Sequence, residues 1–279
     1  MPLLARPTDD PSNVFVTCVS NVRANAIRQK FLAAAPLIGA AAASFLQAAE
    51  NHSLHTMAIQ NGVGADISTD EMINIYDQRM ARKKSPGRAI YDKLMIAPPY
   101  GRCPLCGQGR VKSLDHHLPK THFPALAVTP VNLVPACNDC NRAKGEIYPL
   151  EAAQQILHPY FDDLDTDVWL KGTLVQTAPA AISFAAQPPV GWPELTKARV
   201  RSHFRLLKLG EMYTAYAADE LQGIKKYLQK LHAKSGAADV KNHLEEQAES
   251  RADDNKNSWQ AATYRELAIS DWFCDGGFN

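Results

Sequence analysis

Two Cys-x-x-Cys pairs constrain the fold of this chain more than any other feature of its sequence. Cys103 and Cys106 form the first pair, Cys137 and Cys140 form the second, and about thirty residues separate them. Two such pairs can close a tetrahedral four-cysteine zinc site. We predict that this zinc is structural, because four protein ligands leave no coordination position open for chemistry.

The composition agrees with a globular protein that keeps its cysteines reduced. The chain has 279 residues, of which 46% are hydrophobic and 21% are charged, and six are cysteines. Six cysteines are too few for a disulfide scaffold in a chain of this length, which favours metal binding in a reducing compartment. Cys18 and Cys274 stand outside the pairs, and we expect both to be buried. The N-terminus has no apolar core of a secretory signal, so we expect a cytoplasmic protein.

One apolar run, residues 31–49, approaches the length of a membrane span. It is rich in alanine and is interrupted by Pro36, so its hydrophobicity is weak for a span. A helix that is buried or faces a partner explains the run better, and we predict no membrane association.

Hydrophobic periodicity and breaker residues predict an α+β chain that is mostly helical. We expect residues 1–20 to be irregular and the C-terminal tail, residues 271–278, to pack on the body. A β-hairpin is expected over residues 168–186, with its turn around 177–179. Helices are predicted over residues 21–50 (with a break at Pro36), 69–84, 88–96, 147–163 and 194–269 (with a break at Ser235-Gly236).

The residues between and after the cysteine pairs carry a second pattern. Asp115-His116 is followed by Pro119, then by Asn132-Leu133, and the second cysteine pair runs directly into Asn141-Arg142-Ala143-Lys144-Gly145. This order resembles the HNH endonuclease family, whose pattern runs D-H-x-x-P, then N-L, then C-x-x-C-N-x-x-K-G. The resemblance covers about forty-five residues and includes each anchor of the pattern.

The resemblance implies a ββα-metal finger, in which a two-stranded hairpin, a loop and a helix hold one divalent ion. Asp115 and Asn141 would be the protein ligands of that ion, and His116 would be the general base. Asn132 would hold the loop and fix the orientation of the histidine. Many members have histidine where this chain has Asn141.

These residue types suit the hydrolysis of a phosphodiester bond. A carboxylate and an amide oxygen bind hard cations, so the catalytic ion is expected to be Mg²⁺ or Mn²⁺. Histidine can accept a proton near neutral pH. We expect a carbonyl or amide oxygen to hold its Nδ1–H, which would leave Nε2 free to accept the proton from water.

The pattern leaves open which histidine faces the metal and what the basic residues of the finger helix contact. Neighbouring side chains on a strand point to opposite faces, so either His116 or His117 faces the metal, and the family pattern favours His116. Arg142 and Lys144 lie on the predicted finger helix, where they would contact phosphate or be solvated.

The charge distribution supports nucleic-acid binding. The whole chain has a net charge of +1, but residues 77–112 contain nine Lys or Arg against two Asp, a local net charge of +7. Basic clusters of this kind neutralise phosphates. We expect duplex DNA as the substrate with weak sequence specificity, since no helix-turn-helix pattern is evident. The phosphate contacts predicted upstream of the cysteines are Arg79, Arg82, Lys83, Lys84 and Arg88.

The predicted organisation has three parts: an N-terminal helical region (1–97), the HNH module (98–163), and a C-terminal hairpin with helices (164–279) packing on the module. The resemblance extends to a bacterial subgroup and implies a role in anti-phage defence, sometimes beside an ATPase partner. Two alternatives to an autonomous endonuclease remain. One is a non-catalytic zinc-stapled module that binds nucleic acid or protein, and the other is a nuclease subunit that is active only with a partner.

Overall fold

A computed structural model describes residues 3–279, which divide into two compact units, Leu3–Asp162 and Asp163–Asn279. The fold is mixed α+β and mostly helical, and each of its three sheets has two strands. In the first unit, one hydrophobic core contains both N-terminal residues such as Phe15 and Ile38 and residues of the cysteine-rich part such as Leu114 and Leu133.

Three helices open the first unit: α1 (Pro11–Val19), α2 (Asn25–Ala33) and α3 (Ala35–Glu50). The irregular N-terminus predicted for residues 1–20 is therefore wrong over α1. The Asp10 side chain accepts a hydrogen bond from the backbone N–H of Asn13 at the start of α1, which is a typical N-cap. The break between α2 and α3 falls at Ala34, so Pro36 lies in the first turn of α3, where proline is tolerated.

The stretch Asn25–Glu50 is long and apolar enough to cross a membrane by length and composition alone. Some of its apolar side chains pack inside the first unit, where Ile38 and Phe45 are fully buried. A core helix of a globular protein passes the same test, so this stretch is weak support for a membrane span.

A short hairpin and two helical segments connect α3 to the cysteine-rich part. The strands β1 (Gly62–Val63) and β2 (Ile67–Ser68) pair antiparallel. Ser68 and Glu71 then form a capping box that starts α4 (Thr69–Asn74). The helix continues as π-helical turns over Ile75–Ala81, and α5 (Arg88–Met95) follows.

The cysteine-rich part forms a strand, a long loop, a second strand and a helix. Strand β3 (Ser113–His116) pairs antiparallel with β4 (Leu133–Ala136), with Asp115 opposite Val134. Helix α6 (Asn138–Lys144) follows β4 after one residue. This element order places Asp115 and His116 on β3, Asn132 at the end of the loop and Asn141 on α6.

The helix predicted over residues 147–163 is wrong, because the structure has one short 3₁₀ turn there, Ala152–Gln154. Proline at 149 and 159 disfavours a continuous helix. The second half of the segment, residues 155–160, is buried in the first unit, where the Tyr160 hydroxyl donates to the carbonyl of Leu133 at 3.1 Å. Tertiary packing therefore decides the path of this segment.

The second unit contains the predicted hairpin and a helical array. Strand β5 (Leu170–Val175) pairs antiparallel with β6 (Ala181–Ala186), which confirms the hairpin. The helices are α7 (Glu194–Leu206), α8 (Leu209–Asp254) and α9 (Trp259–Ala268). The tail is docked as expected, since the rings of Phe273 and Phe278 are buried with centroids 5.5 Å apart.

Helix α8 reverses direction at Gly236, whose backbone has φ 80° and ψ −175°. Arg251 Nη2 lies 3.5 Å from Glu220 Oε1, although a straight helix would place residues so far apart in sequence on the order of 46 Å from each other. The two halves of α8 therefore pack antiparallel, and the predicted break at Ser235-Gly236 is confirmed.

Two neighbouring residues of α3 provide a test of this core. Ile38 is fully buried, whereas Leu37 is 48% exposed. We expect Ile38→Ala to lower the free energy of unfolding by about 2–5 kcal/mol, because it leaves a cavity in the core. Leu37→Ala should change it by less than about 1 kcal/mol. Urea unfolding followed by circular dichroism measures both, and equal effects would show that α3 does not pack as described.

Candidate metal centre and buried polar site

The sulfur atoms of Cys103, Cys106, Cys137 and Cys140 lie within 4.8 Å of one another, and all four side chains are buried. The distance between the Sγ atoms of Cys106 and Cys137 is 3.9 Å. Four metal–sulfur bonds of about 2.3 Å in a tetrahedron separate neighbouring sulfurs by about 3.8 Å. The four cysteines could therefore hold one metal ion.

Backbone groups shape the two cysteine turns around the sulfurs. The backbone N–H of Gly109 donates to Cys106 Sγ at 3.3 Å, and that of Cys140 donates to Cys137 Sγ at 3.4 Å. A Cβ atom on Gly109 would lie 2.7 Å from Cys137 Sγ, so this position requires glycine. Hydrogen bonds among the four cysteines lower the pKa of the Cys137 thiol and raise the pKa of the Cys106 and Cys140 thiols, so without a metal the cluster favours a thiolate at Cys137 and protonated thiols at the other two.

The cysteine cluster is covalently continuous with the strands and helix that carry the other candidate residues. Cys137 follows β4 directly and caps the N-terminus of α6 with its sulfur. Residues 101–111 form a short antiparallel ribbon that encloses the first cysteine pair and leads into β3. Just before β3, the backbone N–H of Lys112 donates to the carbonyl of Ala136 at 2.9 Å. The cluster therefore fixes where α6 begins relative to the β3–β4 hairpin.

Asp115 and Lys144 form a buried ion pair between β3 and α6. Their side chains are 6% and 2% exposed, and Lys144 Nζ lies 3.4 Å from Asp115 Oδ2. The same ammonium group donates to the backbone carbonyl of His116 at 2.5 Å. Burial raises the pKa of Asp115 to about 6, although the charge of Lys144 opposes this shift. Burial likewise lowers the pKa of Lys144, against the effect of Asp115.

The phosphate contact predicted for Lys144 is therefore wrong. The sequence places this lysine on the finger helix, but the helix turns it inward towards Asp115 rather than towards solvent. Arg142, two residues earlier, is exposed and remains a candidate for phosphate contact.

His116 has a buried ring held from two sides. Its Nε2 lies 2.8 Å from the backbone carbonyl of Ala127, and its ring meets that of Tyr76 edge-on with centroids 4.4 Å apart. A carbonyl only accepts hydrogen bonds, so Nε2 carries the proton and Nδ1 has the free lone pair. The tautomer expected from the sequence, with Nδ1–H held and Nε2 free, is thus the reverse of the one found. Burial and the charge of Lys120 lower the pKa of His116 to about 3, so the ring is neutral at pH 7.

His117 belongs to a different environment. Its ring packs against the ring of His158, with centroids 4.2 Å apart, and both side chains are buried. The backbone N–H of His117 donates to the carbonyl of Asn132 at 2.8 Å, which closes the base of the loop. The side chains of His116 and His117 therefore point to opposite faces of the strand, as strand geometry requires.

Asn132 holds the long loop through three hydrogen bonds. Its Oδ1 accepts from the backbone N–H of Leu118 at 2.8 Å, and its Nδ2 donates to the carbonyls of Leu118 and Leu126 at 3.0 and 3.3 Å. Leu126 precedes Ala127, whose carbonyl binds the His116 ring. Asn132 therefore positions that carbonyl through the loop and has no hydrogen bond to the ring itself among the described residues.

Asn141 lies on the same side of the hairpin as Asp115. Its Nδ2 donates to Ser113 Oγ at 2.8 Å, and Ser113 and Asp115 occupy alternate positions of β3, which share a face. Asn141 and Lys144 lie one helical turn apart on α6 and contact that face together. The structure thus brings the amide of Asn141 to the side of β3 that carries the carboxylate of Asp115.

The basic residues predicted to bind phosphate differ in whether their side chains are exposed or already bonded within the protein. Arg82, Lys83 and Lys84 are exposed. Arg79 donates to Asn21 Oδ1 at 2.7 Å, and Arg88 binds the carboxylate of Asp92 and the carbonyl of Ala81. The contact predicted for Arg88 loses its support, because these bonds tie its guanidinium to its own helix and the preceding turn.

Sequence reasoning assigned no role to two residues that border the His116 ring. Tyr76 lies on the π-helical turns, and its hydroxyl donates to the carbonyl of Leu114 at 3.2 Å. Lys120 Nζ stands 4.6 Å from the Tyr76 ring centroid and 3.1 Å from Asp77 Oδ1. The apolar periodicity of the helix indicated that Tyr76 would be buried, but no pattern in the sequence joins it to His116.

Comparison with known proteins shows similarity to a phage protein. The chain is 29% identical over 228 residues to Protein ea31 of Escherichia phage lambda, and the match covers 77% of each protein. No family model matches the chain. No solved structure matches it either.

The buried pair of Asp115 and Lys144 can be tested by a double-mutant cycle. Lys144→Met leaves a buried carboxylate without its cation, and we expect the free energy of unfolding to fall by about 3–5 kcal/mol. Adding Asp115→Asn should restore part of this loss, because the charge that lacked a partner is removed. Arg142→Met, on the exposed side of α6, should cost less than about 1 kcal/mol. Urea unfolding of wild type, Lys144→Met, Asp115→Asn and the double variant gives the four free energies of the cycle. If the effects of the two substitutions simply add, the pairing is contradicted.

Proposed function

We propose that this protein is a metal-dependent HNH-type endonuclease that hydrolyses phosphodiester bonds in DNA. The observation that carries the proposal is that Asp115, His116 and Asn141 all lie on one strand–loop–strand–helix unit. This is the element order that the HNH pattern implies, and the hairpin and helix are anchored by the cysteine cluster.

Asp115 and Asn141 are the proposed ligands of a catalytic Mg²⁺ or Mn²⁺. Carboxylate and amide oxygens are the donors that such ions prefer, and these two side chains share one face of β3. The bound ion would polarise the phosphate and stabilise developing negative charge. The ammonium of Lys144 lies beside Asp115, so this carboxylate is paired with a positive charge before any divalent ion binds. Binding of the divalent ion requires Lys144 to withdraw from the carboxylate.

His116 is the proposed general base. The carbonyl of Ala127 holds Nε2–H and orients the ring, which directs Nδ1 to the proton of the attacking water. Burial lowers the pKa of this ring, so its action as a base requires the site to open and admit solvent, which returns the pKa towards its ordinary value. Asn132 supports this orientation through the loop that presents Ala127. His117 is the weaker candidate, because its ring packs in the buried cluster with His158. Lys120, which borders the His116 ring and is partly exposed, is a proposed phosphate contact.

The metal of the cysteine cluster is proposed to be structural zinc. Four buried thiolates supply a closed tetrahedral set, which suits zinc and leaves no position for water. In this proposal the protein binds two metals of different kinds. Zinc would stay bound during isolation, whereas the ion at Asp115 would exchange readily.

The burial of the site favours a second candidate, a nuclease subunit that a partner such as an ATPase switches on. Asp115 and His116 are 5% and 7% exposed, so a phosphate requires local opening to reach them. Resemblance alone supports a role in anti-phage defence. Since the similar lambda protein belongs to a phage, a role in phage biology is an equal alternative.

Metal analysis tests the cysteine cluster. We expect about one tightly bound zinc per purified chain, and none in Cys137→Ser, because the loss of one thiolate breaks the closed set. Cys274→Ala, which alters a buried cysteine of the second unit, should retain the zinc. Elemental analysis by plasma mass spectrometry measures the content. Full zinc content in Cys137→Ser would contradict the assignment.

Nicking of a supercoiled plasmid tests the catalytic assignment. With Mg²⁺ or Mn²⁺, we expect wild-type protein to nick the plasmid, and His116→Ala to be at least about 100-fold slower because the general base is lost. Asp115→Asn should lose activity through weaker metal binding, with its zinc content unchanged. His117→Ala is the matched control and should keep its activity.

The outcomes separate the candidates. Equal activity of His116→Ala and wild type would refute the role of His116, and loss in His117→Ala alone would transfer that role to His117. Absence of nicking in wild type, with DNA binding retained, would favour the partner-dependent subunit or the non-catalytic module.

A further inference from the structure

The ribbon before β3 carries an exposed aromatic ring and several exposed basic side chains with no acidic residue among them. Tyr100 is 89% exposed and stands at the start of the ribbon. Residues 96–113 contain three basic side chains, all exposed, and no Asp or Glu. The three basic residues are Arg102, Arg110 and Lys112. None of them makes a side-chain hydrogen bond or ion pair with any residue in the part of the chain that the structure describes.

Arg102 and Arg110 face each other across the ribbon. They form an antiparallel bridge between two backbone hydrogen bonds, Cys103 N–H to Gly109 O at 2.6 Å and Val111 N–H to Gly101 O at 2.9 Å. In such a non-hydrogen-bonded pair the Cα atoms are about 4.5 Å apart and the side chains leave the same face. Like charges directly opposite one another destabilise a ribbon unless an anion lies between them. The pair is therefore arranged to bind an anion such as a phosphate.

Tyr100 lies at the tip of a tight turn. Its backbone lies in the left-handed region, with φ 56° and ψ 14°, which few non-glycine residues adopt. The N–H groups of Gly101 and Arg102 donate to the carbonyls of Pro98 and Pro99, each at 3.1 Å, and close the turn around it. A ring exposed on a turn that backbone hydrogen bonds close is available for a flat partner to stack on it.

We infer that Tyr100 and the three cations form a binding site for an unpaired nucleotide of single-stranded DNA. The ring stacks on one base, and Arg102, Arg110 and Lys112 bind the phosphates on either side. A base in a duplex already stacks on its neighbours and cannot cover the ring, so the site selects single-stranded segments. This inference rests on the proposed function and refines its substrate from duplex DNA to DNA with an unpaired stretch.

The ribbon also sets the distance from this site to the catalytic residues. Arg110 and Asp115 are five residues apart on one extended chain, which spans at most about 17 Å. This length limits how far along the strand the scissile bond lies from the phosphate that Arg110 binds.

Fluorescence anisotropy with a labelled 12-nucleotide single strand and its blunt duplex tests the inference on the full chain. Ca²⁺ replaces Mg²⁺, and a denaturing gel verifies that the oligonucleotides remain intact. Tyr100→Ala should weaken single-strand binding about fivefold or more, since base stacking is lost, and duplex binding by less than about twofold. Tyr100→Phe should bind like wild type. Tyr227→Ala removes an exposed tyrosine of the second unit and is the matched control.

The salt dependence tests the arginine pair. Arg110→Gln should lower the slope of log affinity against log salt for the single strand by about 0.7, because one phosphate contact is lost. Lys226→Gln, which removes an exposed charge of the second unit, should leave that slope unchanged.

Unchanged single-strand binding by Tyr100→Ala, or an equal loss for single strand and duplex, would overturn the stacking site. Failure of wild type to bind either oligonucleotide would overturn it as well. Because binding is measured without cleavage, an inactive protein that shows the expected binding pattern would refute the proposed nuclease and leave this site standing.

Discussion

The four cysteine sulfurs bring together two segments that are about thirty residues apart in sequence, and the rest of the candidate site is built next to them. The first pair fixes the ribbon that becomes β3, and the second pair fixes the end of β4 and the first turn of α6. Each strand of the hairpin has four residues, which is too little pairing to be stable alone in water. A metal ion bound by all four sulfurs would therefore set the geometry in which α6 faces β3.

The interface between α6 and β3 is polar and buried, which is costly unless each charge has a partner. Lys144 satisfies the carboxylate of Asp115 and the carbonyl of His116 together. Buried ion pairs often contribute little to the free energy of unfolding, so stability alone does not explain this pair. A function that needs a carboxylate at this position explains it better. The proposed exchange of the lysine ammonium for a divalent ion explains why the protein maintains a cation there. Opening of this interface would be the step that a partner controls.

The sequence predicted the parts of the fold whose signals are local. The cysteine pairs met as expected, the hairpin over residues 168–186 formed, and the reversal at Gly236 was visible as a breaker. Helix α1 was missed although Asp10 and Pro11 carry a capping signal and its buried residues Val14, Phe15, Cys18 and Val19 have helical spacing. Its β-branched residues and the short length of the helix weaken the signal. The segment around Tyr160 was predicted as helix and is irregular, since contacts with the core outweigh its helical propensity.

The candidate site was predicted as a set of residues but not as a geometry. The residue pattern indicated Asp115, His116, Asn132 and Asn141, and the structure brings all four to one hairpin and its helix. The inward direction of Lys144 and the bond from His116 Nε2 to Ala127 depend on how α6 and the loop pack. Backbone carbonyls such as that of Ala127 leave no trace in a residue pattern, so the tautomer of His116 required coordinates.

The central claim is that one metal shapes the site and a different, exchangeable ion performs the chemistry. Gel filtration into magnesium-free buffer, followed by metal analysis and a nicking assay on the same sample, tests it most directly. The account predicts that zinc stays at about one per chain, that nicking disappears, and that Mg²⁺ alone restores it. Nicking that persists without added Mg²⁺ or Mn²⁺ while zinc is the sole bound metal would contradict the account.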